Sequence, residues 1–163
     1  MTDRQYRKMY ERLYHLFEDV TPLKTDCGSL CGAACCKGDD RTGMLLFPHE
    51  ETALRVIESE GRRYAVCEGR CERKDRPLSC RIFPFFPLIN DDGKVSFQID
   101  IRGNAICPLI RNCDSVIFDT RFLRHIAVAG KILSKDAECL EFLQEIISEI
   151  SEISAINNAL SCK

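Results

Sequence analysis

The chain has 163 residues and a formal net charge of −2, with 45% hydrophobic and 29% charged residues. Such a chain folds as one α+β domain without being disordered, and its charge gives no case for nucleic acid or an anionic membrane as partner. The apolar stretches around 82–89 and 126–129 fall far short of the roughly 20 residues of a membrane helix, and no apolar run follows the charged N-terminus, so the expected compartment is the cytoplasm.

From Thr2 to Val20, Tyr6, Met9, Tyr10, Leu13, Leu16, Phe17 and Val20 recur at steps of three and four. That spacing predicts one apolar stripe on a helix, closed by Thr21-Pro22. Residues 25–42 carry the first cysteines among Gly28, Gly32 and Gly38 and read as a loop or a single distorted turn. Gly43–Phe47 reads as a short strand. Pro48 then suits the first turn of a helix, with Glu50 and Glu51 near its positive end. Ala53, Leu54 and Ile57 would form its buried face and Gly61 its C-terminal stop.

Further along, Val95, Phe97, Ile99 and Ile101 alternate with polar residues, the period of a half-buried strand. The turn residues Asn90-Asp91-Asp92-Gly93 precede it, so a hairpin is expected between about 85–89 and 95–101. In the tail, Phe122, Leu123, Ile126, Ile132 and Leu133 predict a helix interrupted near Gly130. Leu140, Leu143, Ile146, Ile147, Ile150 and Ile153 predict a long amphipathic helix from about Lys135, with Ser134 as N-cap. Residues 134–163 hold six acids and two bases. This acidic face reads as the solvated side of a core helix; the alternative is a seam for a homodimer or another protein partner. The resulting organisation is a cysteine-rich core over 25–113 with a β-hairpin, an N-terminal helix and a helical C-terminal extension over 117–160.

Cysteine is the anomaly. There are eleven, and nine lie between Cys27 and Cys113. In a reducing compartment such clustering argues for metal or redox chemistry over disulfides, and buried thiols of a core have no reason to gather at short spacings. The groups are Cys27, Cys31, Cys35 and Cys36; then Cys67, Cys71 and Cys80; then Cys107 and Cys113. All-sulfur ligation fits zinc or an iron–sulfur cluster. Adjacent Cys35 and Cys36 point apart in an extended chain, which suits two nearby centres, or one ligand beside one redox thiol. The first two groups with Cys107 could serve two four-ligand sites. Neither paired zinc-ribbon steps nor the bacterial ferredoxin run is present. His49 is a weak extra-ligand candidate. More than four cysteines with a vicinal pair favour an iron–sulfur centre over a single closed zinc site.

The sulfurs of Cys27, Cys31, Cys35, Cys71 and Cys80 are expected to converge within a few ångströms, because zinc–sulfur bonds are about 2.3 Å. Residues 62–81 carry seven bases against three acids. Arg76 and Arg81 in this run are expected to lie against the cofactor and offset thiolate charge. The run lacks an aromatic comb that could stack on nucleic-acid bases.

Cys27, Cys31 and Cys35-Cys36, then Cys71 and the stretch Arg76-Pro77-Leu78-Ser79-Cys80-Arg81-Ile82-Phe83-Pro84, resemble the YkgJ-type cysteine-cluster family. That family is described as zinc- or iron-chelating, and the same cysteine arrangement occurs in flagellin lysine methylases. The resemblance covers about Cys27 to Pro108. It implies Cys27, Cys31, Cys35, Cys36, Cys71 and Cys80 as cluster ligands, Cys67 as the family's extra cysteine and Cys107-Pro108 as its later Cys-Pro. The function expected is chelation of iron or zinc. The methylase resemblance implies an alternative, a cluster-dependent methyl-transfer or redox enzyme, for which no Gly-rich loop or acid–base pair offers independent support. A structural zinc domain presenting its helical tail to a partner is the third reading.

Overall fold

The computed structural model describes residues 1–38, 43–69, 72–90 and 92–161. Helix α1 spans Asp3–Leu16, and Thr2 opens it with a capping box: its side chain accepts from the Gln5 amide while the Gln5 side chain accepts from the Thr2 amide. Two short turns of helix follow, α2 (Gly28–Cys31) and a 3₁₀ turn (Ala34–Cys36), as expected for a distorted cysteine-bearing loop.

Strand β1 (Met44–Leu45) is as short as expected. The helix expected after Pro48 is absent. In its place lie β2 (Arg55–Ser59) and β3 (Arg62–Val66), an antiparallel hairpin that pairs Ser59 with Arg62. Its two-residue turn puts both Glu60 and Gly61 at positive φ, 52° and 74°. That geometry matches the twist of the flanking strands, so Gly61 closes a hairpin and not a helix. β1 adds to the other side of β3, giving the order β1-β3-β2.

Helix α3 (Leu78–Ile82) leads into the expected second hairpin, β4 (Phe85–Ile89) with β5 (Val95–Ile99), in register Phe85↔Ile99 to Ile89↔Val95. A 3₁₀ turn (Ile101–Gly103), α4 (Pro108–Arg111) and a second such turn (Cys113–Ser115) connect to α5 (Thr120–Leu133) and α6 (Ala137–Ser161). α5 runs through Gly130 without a break. A Cβ there would lie 2.7 Å from Val95 Cγ1 and 2.9 Å from Pro87 Cβ, so the glycine marks where the hairpin seats on the helix. At the start of α6, Asp136 accepts from the Cys139 amide, the bond expected of Ser134.

Helices α5 and α6 stand inside the main core. Phe122, Ile126, Leu143, Ile146 and Ile150 join Leu13 and Phe17 of α1, Leu78 and Ile82 of α3, and Phe85 and Phe86 of β4 in one apolar cluster. The acidic side of α6 meets basic partners: Glu149 pairs with Arg62 and Arg102, and Glu145 with Arg62. Beyond Ile150 the apolar stripe leaves the core, and Ile156 is 59% exposed. No helix of the described residues is long and apolar enough to cross a membrane.

Candidate metal centre

One cavity of about 460 Å³ gathers Cys27, Cys35, Cys36, Cys67 and Cys80 with Arg73, Arg76 and Arg81. Four chain segments build its wall. The loop after α1 delivers Cys27, and its short turns reverse through Gly32 and Ala33, both left-handed, to bring Cys35 and Cys36 back toward it. Cys67 follows directly on β3. An isolated antiparallel bridge between Lys37 and Glu68 ties these two segments, with Gly38 N donating to Cys67 O and Gly69 N to Cys36 O, both at 3.0 Å. Cys80 comes from α3. Beside the cavity, Cys27 and Cys107 share a small apolar cluster with Leu109 and Ile110.

The thiols act on one another. Cys36 accepts hydrogen bonds from Cys35 and Cys67 and faces Arg76, and it is pulled down to about 6 from the ordinary thiol value. Cys35, as donor to Cys36 and partly buried, is pushed up. The pair therefore releases its first proton readily and holds its second. Burial raises Cys27 first, and the fields of Asp26, Cys107 and Cys31 add to the shift.

Among the described residues, no three His, Cys, Asp or Glu side chains are placed to hold a metal ion, and no disulfide joins the described cysteines. Of the five sulfurs expected to converge, those of Cys27, Cys35 and Cys80 share the cavity, Cys31 is not among its lining residues, and Cys71 lies outside the described residues.

The arginines divide their work. Arg81 is 8% exposed, and its guanidinium holds backbone: Nε donates to the Arg76 carbonyl at 2.7 Å, and Nη2 to those of Arg73 and Lys74 at 2.8 and 2.9 Å. It also stacks over the Tyr14 ring, 4.5 Å from its centroid. Arg81 thus braces the 73–76 turn that forms one wall, and the field acting on Cys36 comes from Arg76. Arg73 Nη2 donates to the carbonyls of Phe17 and Val20, both at 2.6 Å, and anchors that turn to the end of α1. His49 is turned elsewhere. It stacks on Tyr6 at 3.9 Å, and its Nε2 meets Glu138 Oε2 at 2.7 Å, in a separate cleft beside α1. Cys139 is fully buried in the main cluster, as its place on the apolar stripe implies.

Glu50 escapes a reading of the sequence. It is fully buried, accepting from Tyr14 Oη at 2.7 Å and the Leu78 amide at 2.6 Å on one oxygen, and from the Phe47 amide at 3.0 Å on the other. Burial raises its pKa against the opposing pull of these three donors. No local pattern distinguishes it from its exposed neighbour Glu51.

The donor set suits a soft-metal centre: among the described residues, sulfur is the only metal-donor type lining the cavity apart from Asp26 and the hydroxyls of Thr21 and Ser29. No family model, curated protein or solved structure matches the chain.

Proposed function

We propose that this protein is a cytoplasmic metal-binding protein whose cysteine cavity holds an iron–sulfur centre in preference to zinc. One observation carries the reading: among the described residues, five cysteines from three separate chain segments line a single cavity with three arginines. Among the described residues, those three guanidinium groups against the one carboxylate of Asp26 leave the wall at +2, opposite in sign to the surplus negative charge of four thiolates around a divalent ion. The sequence resemblance to the YkgJ-type family supports the same conclusion. Cys27, Cys35, Cys36, Cys67 and Cys80 would be the ligand set, with Cys31, Cys71 and Cys107 as the additional cysteines of the same groups. Such a group would supply electron transfer or structural cross-linking.

Anaerobic purification with metal analysis and visible absorption tests this. Iron with sulfide and a brown colour is the expected result; a colourless protein carrying stoichiometric zinc would replace the iron–sulfur assignment by the zinc one. A protein that purifies without either metal, and takes up neither on anaerobic reconstitution, would sink the reading. Removing the metal should lower the melting temperature, because metal-binding energy is folding energy. Circular dichroism before and after chelation should show the helical signal largely retained; an unchanged melting temperature with metal loss confirmed would place the centre outside the fold's stability.

A further inference from the structure

We propose that Glu50 is the positioning residue of the cysteine cavity, holding the helix that carries Cys80 and Arg81 in place from behind. The proposal rests on the metal-site reading above, but its contacts stand independently of any metal.

Helix α3 has only five residues and cannot hold itself in place. Its side chains divide sharply: Leu78 and Ile82 enter the main core, while Cys80 and Arg81 line the cavity. The Leu78 amide opens the helix and has no partner inside it. Glu50 Oε1 accepts that bond at 2.6 Å. The same oxygen accepts from Tyr14 Oη at 2.7 Å, and the Tyr14 ring lies under the Arg81 guanidinium. Cys80 is near enough to Tyr14 to act on its hydroxyl electrostatically. One carboxylate therefore joins α1, the 47–50 turn and α3 at the back of the cavity.

A fully buried carboxylate is costly unless its oxygens are satisfied, and these oxygens answer three donors, the Leu78 and Phe47 amides and Tyr14 Oη, that an apolar side chain would leave buried without an acceptor. What the carboxylate adds is direction. Its two oxygens fix the rotation and the height of the first turn of α3, and Cys80 lies two residues after the amide it holds. Metal sites depend on such supporting contacts, and losing one typically weakens metal binding about 10- to 100-fold.

Glu50→Gln is the sharpest variant, because a carboxamide must turn its NH₂ toward a donor on one side or the other. Iodoacetamide labelling of the metal-free protein, read by peptide mass spectrometry, should show Cys80 labelled about tenfold faster, the lower range of what an unsatisfied buried donor costs. Cys113, on the far turn, and Cys139, in the main core, should label at the wild-type rate. Equal acceleration at Cys139 would mean general loosening and would overturn the positioning role; so would an unchanged Cys80 rate in a folded variant. Cobalt(II) titration supplies the second arm, with the sulfur-to-cobalt absorption expected about tenfold weaker in apparent affinity. If the wild type takes up no cobalt, the metal reading fails while the labelling arm still decides the role of Glu50. If Glu50→Gln does not fold, Tyr14→Phe decides: it removes one bond to the same oxygen, and an unchanged Cys80 labelling rate there overturns the proposal.

Discussion

Among the described residues, the main apolar cluster draws on α1, α3, β4, α5 and α6 and contains eighteen buried residues, while the cluster beside the cysteines has three, Cys107, Leu109 and Ile110. The first is a core in the usual sense: aromatic pairs such as Phe17 with Phe122 and Phe85 with Phe118 meet edge to face at 5.7 and 4.7 Å. The second is a thin apolar patch under loops whose backbones run through short turns and one isolated bridge. Regions poor in buried apolar area open first and need another cement. In this molecule the cement is polar: guanidinium groups on carbonyls and a buried carboxylate.

Truncating the two clusters should separate them most strongly. Phe122→Ala should cost about 3–5 kcal/mol and lower the urea midpoint of the whole molecule, since it opens the main core. Ile110→Ala should cost about 2 kcal/mol and leave the far-ultraviolet helical signal intact at urea concentrations where the near-ultraviolet signal is already altered. Coincident transitions in Ile110→Ala would show that the two regions unfold as one unit.

Arg81→Met tests the polar cement. It preserves apolar bulk but leaves the carbonyls of Arg73, Lys74 and Arg76 without their donor. A loss of about 1–3 kcal/mol is expected, and hydrogen exchange in the 73–76 turn should accelerate while α5 stays protected. No change in that turn would return Arg81 to a purely electrostatic part.

Gly130→Ala probes where the hairpin meets the main core. Helix propensity favours alanine by about 1 kcal/mol, but its Cβ would intrude on Val95 and Pro87. Overpacking costs about 1–3 kcal/mol, so a net loss of about 1 kcal/mol is expected by urea denaturation. A gain would show that the hairpin yields.

The smallest effect is one of pH. Cys36 is drawn below the ordinary thiol value, to about 6, so between about 6 and the unfolded value near 9 the folded chain holds fewer protons at this site than the unfolded one. Its contribution to stability is therefore complete above the unfolded value and is lost as pH falls through about 6. Because the hydrogen bond from Cys35 is the largest cause and Arg76 adds to it, alkylation of Cys36 in the metal-free protein should show an inflection near pH 6 that moves upward when Arg76→Gln removes the cation; an inflection near 9 in the wild type would overturn the assignment.

Long periodic elements were legible in the sequence. α1, the β4–β5 hairpin, α5 and α6 follow from stripes and alternation that tertiary packing then reinforces. The stretch after Pro48 misled because a proline followed by two acids imitates a helix start. The deciding signals were weaker: the β-branched pair Val56 and Ile57, and a Glu60-Gly61 turn that only a hairpin requires. The cysteines announced a shared site by spacing, and among the described residues three segments bring five of them to one cavity. The duty of Glu50 was illegible because it depends on Tyr14 and Leu78, far away in sequence, and that of Arg81 because its hold on the 73–76 carbonyls follows from the backbone path of that turn, which no residue pattern announces.

The placement of α6 has a kinetic consequence. Its buried face meets α1 across nearly the whole chain, and Tyr6 donates to Asp136 over a separation of 130 residues. In synthesis from the N-terminus, every cysteine up to Cys113 is made before the helices that seal the core. These thiols meet the cell's metals, reductants and oxidants while the scaffold that will shelter them is still being translated.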